Sequence, residues 1–144
     1  MGSFTLHKNM TKPGVFLTGG IGITPFLSII RQVAREELSY HLYLFYSNRR
    51  PEDAPFMDGL REIATVRPGI RFVPTMTDMA KSQWKWTGES GKITREMLGK
   101  YLPSFQGPIY YLAGPMGMVF AVRELLTTAG VDEDDIRSEE FGGY

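Results

Sequence analysis

Cysteine is absent from the 144-residue chain, which excludes a disulfide scaffold, thiolate-held zinc or iron–sulfur clusters, and any thiol nucleophile. Only two histidines, His7 and His41, are present, which leaves little for a histidine metal site, and no metal is expected. Neither sign of charge is in excess. Sixteen basic and 16 acidic side chains give a formal net charge of zero, and without a basic face a protein cannot displace counterions from nucleic-acid phosphates. No uninterrupted apolar run approaches the length, about 18 residues, of a membrane span. The opening stretch, Met1 to Lys8, lacks the apolar core of a secretory signal. The expectation is a single soluble domain, cytoplasmic by default, with neither nucleic acid nor membrane as partner.

What is present is alternation. Val15 to Leu17 is a short apolar run ending in Thr18-Gly19-Gly20, the pattern of a buried strand followed by a turn. A helix is predicted from Thr24, with Thr24 as its cap, Pro25 at the first helical position, and Phe26, Ile29, Ile30 and Val33 recurring at three and four. Leu42–Tyr46 reads as a second strand, residues 55–64 as a second helix, and Ile70–Val73 as a third strand. Between Thr75 and Gly91 no period holds, so a functional or surface loop is expected. Thr94 with Met97, Leu98 and Tyr101 predicts a short helix, and Pro108–Leu112 a fourth strand turning at Ala113-Gly114-Pro115. Met118, Val119, Val122, Leu125 and Leu126 share a helical face closed by Gly130, and Ile136–Phe141 is a fifth strand. Near-continuously apolar strands separated by helices predict an α/β fold: a doubly wound five-stranded parallel sheet, order 3-2-1-4-5, with helices on both faces. Its ligand is expected at the carboxyl ends of the strands, in the crevice between strands one and four.

The most informative stretch is Thr18-Gly19-Gly20-Ile21-Gly22-Ile23-Thr24-Pro25. Three glycines there join a buried strand to a helix whose N-terminus offers unpaired N–H groups and about half a positive charge, so a pyrophosphate laid against Gly20 to Thr24 needs no lysine. The plainer reading is a tight turn. The stretch departs from Gly-x-Gly-x-x-Gly and from the phosphate loop Gly-x-x-x-x-Gly-Lys-Ser/Thr, against an ordinary Rossmann dehydrogenase and a phosphate-loop nucleotidase.

Gly19 to Phe26, followed downstream by Ala113 to Val119 and by the terminal Glu139 to Tyr144, resembles the nicotinamide-nucleotide domain of the ferredoxin–NADP reductase superfamily. Tyr46 to Arg49 and Trp86 to Glu89 fall where related blocks lie, and the resemblance covers residues 13–144. It implies that NAD(P)H delivers hydride to FAD and that the flavin passes electrons to a redox partner. It also implies that FAD is held mainly by a barrel domain in cis, and that residues 1–12 are the remnant of that domain's last strand plus a linker. By the same resemblance Thr18, Gly19, Gly20, Gly22, Thr24 and Pro25 belong to the pyrophosphate turn. Gly114, Pro115 and Met116 border the nicotinamide and its ribose, while Glu139 and Phe141 are the catalytic pair at the flavin contact. The family's usual cysteine before Gly-Pro is Ala113 in this chain. The resemblance makes the full-length parent a ferredoxin–NAD(P) reductase-like oxidoreductase and leaves little or no FAD on this fragment alone.

A reader of the ribose 2′-hydroxyl places an acid at the end of the second strand. Ser47-Asn48-Arg49-Arg50 stands there instead, which favours NADP(H) over NAD(H) through a contact from Arg49 to the 2′-phosphate. Against this stands a solvated arginine pair neutralised by Glu52 and Asp53. Trp84 and Trp86, beside Lys81 and Lys85, are expected to fold over their own domain or over an adenine rather than over single-stranded nucleic acid. The acidic run Asp132–Asp135 reads as a solvated loop, and Met116 and Met118 as turn and core residues. Two rival functions are a receiver-like signalling domain, disfavoured by the absence of an acidic pocket after strand one, and a non-catalytic nucleotide sensor of the same fold.

Overall fold

The computed structural model describes residues 4–141. Its elements follow in the order β1 (Gly14–Gly19), α1 (Ile23–Arg35), β2 (Leu42–Asn48), α2 (Met57–Val66), β3 (Ile70–Met76), β4 (Glu89–Ser90), α3 (Arg95–Tyr101), β5 (Ile109–Pro115), α4 (Met116–Thr128) and β6 (Ile136–Phe141). The strands form one parallel sheet in the order β4-β3-β2-β1-β5-β6. The expected order of five is present, with a sixth strand added at one edge. That strand arises from the stretch read as a loop. Two residues are too few to show a period, and β4 is held by Gly91 N–H donating to Met76 O at 2.9 Å and Thr75 Oγ1 donating to Gly91 O at 2.7 Å.

Two cores lie on the two faces of the sheet. On one, Phe16, Leu44, Tyr46 and Tyr111 meet Phe26, Ile30 and Val33 of α1 and Leu60 of α2. On the other, Val15, Leu17, Phe45 and Leu112 meet Met97 and Leu98 of α3 and Val119, Val122 and Leu126 of α4. Each fully buried Phe or Leu contributes about 1.5–3 kcal/mol, and all six residues of β1, at the centre, are buried.

The helix ends show where local chemistry decides. Thr94 caps α3, its side chain accepting from Met97 N–H at 3.1 Å. Gly130, at φ 97°, closes α4 with a paired motif: its N–H donates to Thr127 O and that of Val131 to Leu126 O, both at 3.0 Å. Thr24 caps nothing. A 3-10 turn over Gly20–Gly22 carries the chain straight into α1, so Gly22 is the cap and makes no side-chain bond. Thr24 and Pro25 sit second and third in the helix, where Pro25 still lacks only an N–H that would have had no partner. α2 starts at Met57 rather than at residue 55, because Phe56 takes the left-handed conformation at φ 68°.

Candidate functional site

Parallel register brings the sequence blocks together at one edge. Thr18 stands between Tyr46 of β2 and Ala113 of β5, and Glu139 of β6 stands beside Ala113. Gly19 is level with Ser47, Gly114 with Glu140 and Pro115 with Phe141. The chain winds from β1 towards β3 and β4 on one side and resumes at β5 on the other, so the β1/β5 crevice is the switch point of the sheet.

The glycines at this edge divide into two kinds. A Cβ on Gly22 would lie 2.5 Å from Ala113 O and 2.6 Å from Thr18 Oγ1. One on Gly19 or Gly114 would press on Met118 Sδ at 3.0 or 3.1 Å. These three glycines let turn, strands and α4 close on one another. Gly20 differs: at φ 57° it is left-handed, and nothing lies within 4 Å of where its Cβ would be. It faces open space, with Ile21 beside it and Met116 at the start of α4 exposed at 63% and 62%. The turn therefore satisfies both readings of its sequence, tight closure at Gly19, Gly22 and Gly114 and an open approach at Gly20.

Three buried side-chain atoms have no hydrogen-bond partner among the described residues: Thr18 Oγ1, Asn48 Nδ2 and Glu139 Oε1. All three lie at the carboxyl edge. A buried polar atom left unpaired costs about 1–3 kcal/mol, and the gathering of all three along one edge of the sheet, on β2, β1 and β6, makes that edge the candidate site.

A cavity of about 530 Å³ opens beside Gly20, lined by Asn48, Arg49, Arg50, Asp53, Asp78 and Lys81. Arg50 is committed, its Nε and Nη2 meeting the two Asp53 oxygens at 2.8 and 2.9 Å and its Nη1 donating to Lys81 O at 3.3 Å. That guanidinium holds the Asp53 carboxyl below the usual carboxylate range. Lys81 lies 3.7 Å from Asp78. Arg49 is exposed and has no carboxylate partner among the described residues. Of the arginine pair, one is neutralised and one is free to meet an anion. Nothing in the sequence singles out Asp78, and Lys81 stands out there only as a neighbour of the two tryptophans. Thr77 and Asp78 extend the β2/β3 ladder past its last residues, donating to Asn48 O and Arg49 O at 2.9 Å. The strand-end rule applied to β3 as well as to β2 would have found them.

Glu139 belongs to β6, next to Ala113. The Phe141 backbone pairs with Pro115, but its side chain, like Gly142, Gly143 and Tyr144, lies outside the described residues. A larger hollow of about 1060 Å³ runs along the β3 edge between α2 and the Trp84–Glu89 stretch. It contains none of the three unpaired atoms, and its aromatic wall is bracing: Trp86 Nε1 donates to Glu89 O at 2.7 Å beneath the Arg61 guanidinium. The carboxyl edge is the better candidate because its unmet bonds need a partner. Among the described residues no group of His, Asp and Glu could hold a metal, and no helix is long and apolar enough to cross a membrane.

Residues 16–124 match the family described as the oxidoreductase NAD-binding domain. The chain belongs to that family. It is 29% identical over 142 residues to the reductase component of propane 2-monooxygenase from Rhodococcus jostii, a match covering 97% of this chain and 38% of that protein. The crystal structure of the Amycolatopsis cytochrome P450 reductase GcoB superposes with a TM-score of 0.83 at 27% identity, over 99% of this chain and 42% of that one. Flavohemoglobin from Malassezia yamatoensis, solved with bound FAD and heme, gives 0.82 at 26%, over 98% and 35%. The chain thus spans less than half the length of these relatives. It is an NAD(P)-binding domain of the kind found in FAD-dependent reductases.

Proposed function

We propose that this domain presents the nicotinamide of NADPH to an FAD carried by a barrel domain of the same polypeptide, as the reductase of a redox partner protein. The three unpaired atoms at the carboxyl edge carry this reading. Thr18 and Asn48 are a hydroxyl and an amide, the donors a ribose or phosphate requires, and Glu139 is a carboxylate able to accept from a carboxamide.

Backbone N–H groups between Gly20 and Thr24 hold the pyrophosphate, with the helix dipole of α1 behind them, and the missing side chain of Gly20 leaves the approach open. Pro25 keeps the first turn of α1 rigid. Ser47 and Asn48 meet the adenosine ribose, and Arg49 meets its 2′-phosphate. Gly114, Pro115 and the exposed Met116 border the nicotinamide ribose and ring. When bound, the dihydronicotinamide supplies a hydride. Glu139 orients the carboxamide or holds a proton beside it. Ala113, whose side chain is fully buried in the α1 core, offers a smaller wall there than cysteine. Relatives named as reductases of propane 2-monooxygenase and of a cytochrome P450 support an oxygenase as electron acceptor.

Calorimetric titration with NADPH, NADH and 2′-phospho-AMP tests this. A charge-assisted contact is worth about 1.5–3 kcal/mol, so NADPH is expected to bind at least about tenfold tighter than NADH. Arg49→Ala should bring the ratio near unity. Equal affinities in the parent chain overturn the phosphate preference, and silence from all three ligands overturns the site.

A further inference from the structure

At the opposite edge of the sheet the polypeptide entering the domain is fastened around one buried histidine. His7 is 9% exposed. Its N–H donates to Tyr111 Oη at 2.8 Å, and its Nδ1 lies 2.8 Å from the same oxygen. Its Nε2 lies 2.7 Å from Lys12 O. A carbonyl only accepts, so Nε2 carries the proton and Nδ1 accepts from the Tyr111 hydroxyl. Arg137 Nη1 also donates to Tyr111 Oη, at 3.2 Å, and to Thr5 O at 3.4 Å, while the Tyr40 hydroxyl donates to His7 O. Both lone pairs of the Tyr111 oxygen are occupied, by His7 N–H and by Arg137, and its one hydrogen is given to Nδ1.

We propose that His7 is a protonation-sensitive latch that fastens the segment Phe4–Lys12 to the domain only while its ring is neutral. A proton on Nδ1 would face the Tyr111 O–H head-on, and the oxygen has no lone pair left to receive it. The groups around the ring come from every element packed against it: Tyr111 from β5, Arg137 from β6, Tyr40 from the chain before β2, and Lys12 from the segment itself. Two of these are cations, and no carboxylate of the described residues lies within 4.0 Å of a ring nitrogen to offset them. Burial first, then Arg137 and Lys12, hold the ring below the usual histidine range, against the bond to the Lys12 carbonyl. The sign follows. The unfolded or released ring takes up its proton at the ordinary value near 6.5 and the docked ring does so lower. The hold is therefore complete above that value and is lost as pH falls through the docked one. What would be released includes Phe4, stacked on Phe26 at 5.3 Å and edge-on to Tyr111 at 5.7 Å. Under the function proposed above, this segment is the tether to the flavin domain, so its free length becomes pH-dependent; that consequence rests on the proposed flavin partner, and the latch does not.

Amide hydrogen exchange and ring chemical shifts of the 144-residue chain, followed from pH 7.5 to 5, decide it. The protection of the His7 amide, corrected for intrinsic exchange, should fall about tenfold for each pH unit between the ordinary value near 6.5 and the docked value, and level off where the docked ring titrates. His41→Gln should leave the response intact. His7→Gln, whose amide can accept from Tyr111 and donate to Lys12 O, should abolish the pH response. Protection that stays constant while the His7 ring titrates overturns the latch, as does a ring that remains neutral to pH 5. An equal pH response in His7→Gln does so too. Should the Gln variant fail to seat at any pH, the wild-type coincidence of ring titration and lost protection decides alone.

Discussion

The two ends of the sheet treat buried polar groups in opposite ways. At the amino edge His7, Tyr40 and Tyr111 form a closed set in which each donor meets an acceptor across as many as 104 residues of sequence. At the carboxyl edge Thr18, Asn48 and Glu139 each keep a buried atom without a partner. The strands are the same strands: Tyr111 and Ala113 lie two residues apart on β5, Arg137 and Glu139 two apart on β6. Folding is therefore completed at one end, while at the other a cost of about 1–3 kcal/mol per unpaired atom is left for a ligand to relieve. Strain at a functional edge is tolerated because the rest of the domain, with two buried cores, over-determines the fold.

The largest effect is expected where the carboxyl edge is closed rather than open. Gly22→Ala places a methyl 2.5 Å from Ala113 O, a backbone atom that cannot rotate away, and overpacking of this kind costs about 1–3 kcal/mol. Urea unfolding should place the loss at the top of that range. Nucleotide binding should weaken with it, since the displaced turn carries the amides. A neutral result would mean that the glycines of this turn are interchangeable, and the division between closing and open positions would collapse.

Next in size is Tyr111→Phe at the amino edge. It strands the His7 N–H and removes the hydroxyl that its ring nitrogen accepts from. A loss of about 2 kcal/mol follows from a buried donor left unmet, bounded above by the cost of letting residues 4–12 peel into water. Denaturant midpoints measure it, and dinucleotide affinity should be unchanged because no atom at the carboxyl edge is touched. Coupling between the two edges would appear as a shifted affinity.

The sequence made the backbone of this fold legible because its signals are local. The five longer strands, the Thr94 cap and the Gly130 terminator each depend on residues within a few positions. Long-range facts were not legible. Nothing near Phe4 or His7 announces that they pack against Phe26 and Tyr111. The spacing Arg49-Arg50 does not say which arginine Asp53 will take. Three glycines in one turn read alike until Ala113 O and Met118 Sδ are seen to crowd two of them and spare the third. The two-residue β4 is defined by its bonds to β3 rather than by any pattern of its own. At the candidate site the block identities were legible, and the division of labour among them came only from packing.

The smallest effect has the opposite sign, and it separates a ligand site from a defect of packing. Thr18→Val keeps the shape of a fully buried side chain and deletes its unpaired oxygen. Relief of a stranded hydroxyl is worth about 1 kcal/mol, so the free protein should become slightly more stable, in contrast to Tyr111→Phe. If that oxygen serves the dinucleotide, the same change must weaken binding, because the ligand loses the partner for which the atom was left open. Denaturation and titration on one variant therefore move in opposite directions. A gain in stability with unchanged affinity would make Thr18 a tolerated flaw, whereas a loss of stability would mean that its hydroxyl is satisfied within the fold and that the two edges of the sheet are alike.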